Sequence, residues 1–170
     1  METGFNGFFP KIAKDVWIDP FTRLIGNITL KEGASIWPGV VLRADDSEIV
    51  IGRRSAILDL SLLESPFGHP VVIDDEVLIS HKVCIHGASI EKNALIGIGA
   101  IVLEGAVVQK GALVGAGAIV PSGMKIPPYT LALGQPAKII RQLTESERKG
   151  ILIQIQALSQ KAATYRRMSS

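Results

Sequence analysis

Aliphatic side chains recur at every sixth residue along most of this sequence. Ile73, Ile79 and Ile85 set the interval, and after one five-residue step to Ile90 it continues through Ile96, Val102, Val108, Val114, Val120 and Ile126. Four residues after those from Ile73 to Val114 sits a small or β-branched side chain: Val77, Val83, Ser89, Ala94, Ala100, Ala106, Ala112 and Ala118. The rhythm is more ragged upstream, at Leu30, Ile36 and Leu42 and then at Ile51, Ile57 and Leu63, with Ala34, Val40, Ser55 and Ser61 in the small positions. A period of six matches neither the 3.6 of a helix nor the 2 of a half-buried strand. It matches short flat strands joined by tight turns, each turn returning one aliphatic residue inward. Gly99, Gly105, Gly111, Gly117 and Gly123 recur at the phase where such a turn takes positive φ. Three strands close a triangular coil, and successive coils stack in parallel register. A narrow prism interior accounts for the absence of aromatic residues between Phe67 and Tyr129.

This pattern resembles the left-handed parallel β-helix proteins, whose hand departs from the usual crossover rule. The resemblance implies an all-β fold, a single-stranded left-handed parallel β-helix over residues 1–143, followed by a C-terminal α-helix and tail over 144–170. Pro127-Pro128 is expected to break the ladder, because proline has no N–H to donate. Thr144 and Glu147 form a T-x-x-E capping box. A helix follows from about Glu145 to Arg167, with Ile151, Leu152, Ile155 and Leu158 near one face, packed on the prism or on a neighbouring chain. Residues Arg166 to Ser170 read as a frayed tail.

Composition narrows the function. Hydrophobic residues are 47% of the 170, enough to bury a core, and 18 basic against 16 acidic residues leave a net charge of +2, which gives no case for nucleic-acid binding. The single cysteine, Cys84, excludes an intramolecular disulfide framework and a multi-cysteine zinc module. It is expected as a small turn or interior residue, not a nucleophile. No basic segment followed by an apolar run opens the chain, and no apolar stretch approaches membrane-spanning length. The expectation is a soluble cytoplasmic protein with no membrane partner.

Stacking decides which side chains meet, because equal phases in adjacent coils lie roughly 4.8 Å apart. Counting through the irregular steps places Leu42 under Leu63 and Leu63 under Ile85. Arg43 therefore lies under Glu64, and Glu64 under His86, in one outward-facing column. The same count puts Asp59 under His81 and Leu58 under Ser80, one face away. His69 falls in the extra residues Ser65-Pro66-Phe67-Gly68-His69-Pro70, which bulge as a loop. His81 and His86 span a turn between two faces, so they reach a shared metal only where two chains pack together.

The stretch Ile36-Trp37-Pro38-Gly39-Val40-Val41-Leu42-Arg43-Ala44-Asp45, together with Ser80-His81-Lys82-Val83-Cys84-Ile85-His86-Gly87, Ile96-Gly97-Ile98-Gly99-Ala100-Ile101-Val102-Leu103 and Gly134-Gln135-Pro136-Ala137-Lys138, resembles the gamma-class carbonic anhydrases. The resemblance covers roughly residues 10 to 145. It implies a homotrimer with zinc or iron(II) at each chain interface, held by three histidines, two from one chain and one from its neighbour. His86 and the cross-chain His81 match two of these ligands. Arg43 and Asp45 match the pair that organises the interface, and Asp59 matches an acidic residue beside the site. Glu64 holds the place of the third histidine, Leu58 that of a polar glutamine, and Ala44 that of a glycine.

The implied function is a carbonic-anhydrase-like lyase acting on CO2 and bicarbonate, with an altered metal site of His81, His86 and Glu64. Two histidines and a carboxylate form a sound zinc set. The added negative charge acidifies water less than three imidazoles do, so hydration near neutral pH suffers. Losing the polar group at Leu58 matters by about 10–100-fold. Alternatively Arg43 ties up the Glu64 carboxylate, and His69 swings in as a substitute ligand or the site stays empty. The resulting expectation is weak or no CO2 hydration. A non-catalytic trimeric scaffold and a CoA-dependent acyltransferase using His81 or His86 as base are the alternatives.

Overall fold

Each coil of the chain adds one short strand to each of three faces, and the coils stack in parallel. The computed structural model describes residues 1–168. One face stacks Trp17–Ile18, Ser35–Ile36, Ala56–Ile57, Leu78–Ile79, Leu95–Ile96, Leu113–Val114 and Thr130–Leu133. The second stacks Leu62–Glu64, Cys84–His86, Ile101–Val102 and Ile119–Val120, and the third Val71–Ile73, Ser89–Ile90, Val107–Val108 and Lys125–Ile126. The long strands Arg23–Leu30 and Val41–Ile51 bend around one edge: the first part of Val41–Ile51 pairs with Leu62–Glu64 and its last part with Val71–Ile73. Main-chain bonds tie coil to coil, as in Leu78 N to the Ala94 carbonyl at 3.0 Å and Leu95 N to the Ala112 carbonyl at 2.9 Å.

The interior is the aliphatic ladder the period requires. Every six-phase residue from Ile73 to Ile126 is at most 1% exposed. The small positions are filled as expected with one exception: Ala88, not Ser89, is the buried residue. The five-residue step to Ile90 shortens that corner and moves the inward position back by one. Ser55 and Ser61 keep their hydroxyls inside the prism by bridging coils. Ser61 Oγ donates to the Ser80 carbonyl at 2.9 Å and accepts from Val83 N at 3.1 Å. Ser55 does the same with the Asp74 carbonyl and Val77 N, so no buried hydroxyl goes unpaired there.

Left-handed residues line up at the corners. The five glycines from Gly99 to Gly123 all have positive φ, but Arg54, Leu60, Glu76, Lys82, Asn93 and Tyr129 take the same conformation with side chains. One corner column runs Gly33, Arg54, Glu76, Asn93, Gly111 and Tyr129, with an ion pair between Arg54 and Glu76 and a second from Glu76 to the neighbouring Lys92. Gly26 has a different reason to be glycine. At φ +84°, a Cβ there would lie 2.1 Å from the Ala44 carbonyl oxygen of the adjoining strand.

Pro127-Pro128 does not end the stack. Thr130–Leu133 adds one more parallel rung, Leu131 beside Leu113, before Lys138–Gln142 turns back antiparallel. The prolines cost nothing at that corner because no further coil lies above it to accept their missing N–H groups. The helix Glu145–Met168 then begins at Thr144, whose Oγ1 accepts from Glu147 N at 3.2 Å while Glu147 returns a carboxylate to Thr144 N at 2.8 Å. Arg166, Arg167 and Met168 are helical, which corrects the expected fraying at those three; Ser169 and Ser170 lie outside the described residues. The helix packs on its own prism. Ile151, Ile155 and Ala162 close over Trp17, Trp37, Leu58, Leu78 and Leu95, whereas Leu152 points to solvent, 47% exposed. Tyr165 stacks on Trp17 at 4.9 Å between ring centroids, and Trp37 meets Trp17 edge-on. Each isoleucine buried here contributes about 1.5–3 kcal/mol.

Two expectations follow for stability. Gly26→Ala is expected to lower unfolding free energy by about 2–4 kcal/mol, measured by urea denaturation, since it combines backbone strain with a main-chain clash. The hydrogen bond from Arg54, helped by Lys92 and Asn93 against the opposing effect of burial, holds the Glu76 carboxyl at about 2, below its ordinary 4.5. Its folded value is depressed, so its contribution is complete above pH 4.5 and lost as pH falls toward 2. The stability advantage of the native chain over Glu76→Gln is expected to shrink across that window.

Candidate functional site

The helix covers one face of the prism, and the second face carries no such cover from within the described residues. Its outward rungs form an apolar stripe of Val41, Leu62, Cys84, Ile101 and Ile119, all partly or well exposed. Beside the stripe runs the polar column. Arg43, Glu64 and His86 are register partners in consecutive coils, as the count from the sequence requires.

Glu64 is the centre of the column and is only 7% exposed. Arg43 Nη2 forms an ion pair with its Oε1 at 3.1 Å, and His86 Nδ1 contacts its Oε2. Arg43 also reaches Asp45 Oδ2 through Nη1 at 2.8 Å, and this bond is the main reason its guanidinium is held above its usual pKa. Asp45, Asp46 and Glu64 are the one group of three ligating side chains that converge within 4.8 Å among the described residues. The Arg43 guanidinium already bonds two of the three.

His86 turns its other nitrogen, Nε2, toward Glu104 Oε2, 4.0 Å away. The Ser122 hydroxyl, bonded to Glu104 at 2.7 Å, is the largest cause holding that carboxyl below its usual range, and the charges of His86 and His69 add to it. Continuing the phase count one coil above His86 reaches Leu103, next to Glu104, so this neighbour was within reach of the same arithmetic. His69 sits in the loop as expected, its N–H bonded to the Pro66 carbonyl at 2.9 Å and its side chain laid against Gly87.

His81 occupies the next corner, where its Nδ1 meets Asp59 Oδ2 at 3.0 Å. The rungs leading to His81 and His86 belong to different faces, so one chain does not bring both imidazoles to one point. A groove of about 330 Å³ lies beside His81, lined by Leu58, Leu78, Ser80, Ile98, Ala157 and Leu158. Leu58 is 5% exposed and belongs to the cluster under the helix, which gives an apolar side chain at this position a packing role. Cys84 is a half-covered rung residue on the outer face, neither a turn nor an interior residue. Burial, aided by the charge of Glu64, pushes its thiol pKa up, which disfavours the thiolate a nucleophile needs.

The comparisons with known proteins agree with this architecture. The family model for the bacterial transferase hexapeptide (six repeats) matches residues 9–44. A carbonic anhydrase of Geobacillus kaustophilus is 44% identical over 143 residues, covering 84% of this chain and 79% of the relative. Gamma carbonic anhydrase 2, mitochondrial, of Arabidopsis thaliana is 36% identical over 81% of this chain and 52% of its own length. The chain belongs to the gamma-class carbonic anhydrase family. The crystal structure of a Bacillus cereus gene product superposes with a TM-score of 0.98 at 38% identity, covering 99% of this chain and 98% of that one.

The buried carboxylate of Glu64 has to be kept satisfied by its neighbours. Arg43→Gln is expected to destabilise the fold by about 1–3 kcal/mol, because Glu64 and Asp45 then lose their charged donor in a partly covered site. Chemical denaturation at neutral pH measures it.

Proposed function

We propose that this chain is a homotrimeric, cytoplasmic, carbonic-anhydrase-like protein with an altered zinc or iron(II) site at each seam between chains. On this reading CO2 hydration is slow or absent. The observation that carries it is Glu64, which stands where the family resemblance places a third histidine and has one oxygen on Arg43 and the other on His86. The trimer is supported by the uncovered apolar stripe beside the column, a surface of the kind that a second copy buries.

The residues fit a metal in part. His81 and His86 each have Nδ1 held by a carboxylate, the arrangement that metal-binding histidines use to present Nε2. His86 and the partner's His81 would hold the ion across the seam. When bound, such a metal supplies a Lewis acid that activates water toward CO2. Asp59 and Glu64 fix the two imidazoles, Arg43 and Asp45 brace the edge of the seam, and Leu58 offers no hydrogen bond to substrate. The groove beside the exposed His81 favours a second reading, an acyltransferase that uses this imidazole as a base.

Glu64→His is expected to raise CO2 hydration at least about tenfold over the native chain after zinc or anaerobic iron loading, measured by stopped flow. Sedimentation is expected to give three times the 18.2 kDa chain mass. A monomer overturns the seam. A metal-free trimer unchanged on loading favours the scaffold reading, and saturable acetyl-CoA binding by calorimetry favours the transferase.

A further inference from the structure

We infer that Glu64 is a positioning residue for His86 and not a metal ligand. Two matched dyads carry this. Asp59 Oδ2 meets Nδ1 of His81 at 3.0 Å, and Glu64 Oε2 meets Nδ1 of His86. In both, the carboxylate faces Nδ1, a placement that favours the proton on Nδ1 and leaves Nε2 with its lone pair free. The two dyads are built from rungs one coil apart on two different faces, so the same device appears twice by independent routes. The second oxygen of Glu64 is held by Arg43 at 3.1 Å. Both carboxylate oxygens are thus engaged, and the residue is only 7% exposed. Arg43 also sets its positive charge beside the Glu64 carboxylate.

The groups facing His86 are Glu64 on Nδ1 and Glu104 on the Nε2 side, with Ser122 orienting Glu104. An ion held by Nε2 would therefore lie on the side away from Glu64. The role of Glu64 toward a metal rests on the seam proposed above. Its control of the His86 tautomer does not, and that difference separates the two in the experiment.

The test begins with metal-free protein at alkaline pH, by long-range proton–nitrogen NMR of the three histidines. His86 and His81 are both expected as Nδ1–H tautomers. Glu64→Ala is expected to shift His86 toward the Nε2–H form that free imidazole prefers and to leave His81 unchanged. A His86 tautomer identical in the native chain and in Glu64→Ala overturns the inference. Glu64→Gln, of the same size, provides the comparison if the alanine variant folds poorly: it is expected to weaken Co2+ binding by about 10–100-fold while keeping the native visible absorption bands. Altered bands in Glu64→Gln place Glu64 on the metal and overturn the inference. If the native chain takes up no Co2+, the seam metal fails while the tautomer result still decides what Glu64 does.

Discussion

The whole structure depends on keeping each coil in register with the next. An aliphatic residue from each strand fills a prism too narrow for anything larger than leucine or isoleucine, and the main-chain bonds of the strands run between coils, while those within a coil only close its corners. Neither contribution is complete in one coil. Each turn is stabilised by the one below and offers the same surface to the one above, which is the logic of a repeat protein. A one-residue slip would turn every inward aliphatic side chain outward.

That constraint explains where irregularity is allowed. Extra residues enter at the bend inside Val41–Ile51 and in the loop before Val71, between rungs, so the interior ladder continues unbroken. The same insertions bring chemistry to the surface. The bend carries Asp45 and Asp46 out beside Arg43, and the loop brings His69 to the corner of Gly87. The polar column is thus set by a regular scaffold and furnished by its departures from regularity.

Glu64 shows how such a lattice accommodates a buried charge. A buried carboxylate needs donors, and its register neighbours are Arg43 below and His86 above. Both are close enough to supply them, so the charge is met locally and the strand needs no distortion. Leu58 is similar in kind. Its side chain joins the apolar cluster beneath the helix, which ties the composition of this corner to the docking of residues 145–168.

The six-residue period was sufficient to specify the coil, the inward residues and the vertical neighbours of Arg43, Glu64 and His86, because register in a parallel stack is a matter of counting. The capping box at Thr144 was legible for the same local reason. What counting could not supply were effects of contact between distant or irregular parts. Ala88 replaced Ser89 where a shortened corner shifted the phase, Leu152 turned outward because the helix met the prism along Ile151 and Ile155, and the stack outlasted its two prolines because the last coil has no neighbour to bond. Which atoms of Glu64 and His86 engage, and that Glu104 faces the far side of the imidazole, were also decided only in three dimensions. Sequence spacing determines which residues share a rung; side-chain direction and burial depend on everything packed around that rung.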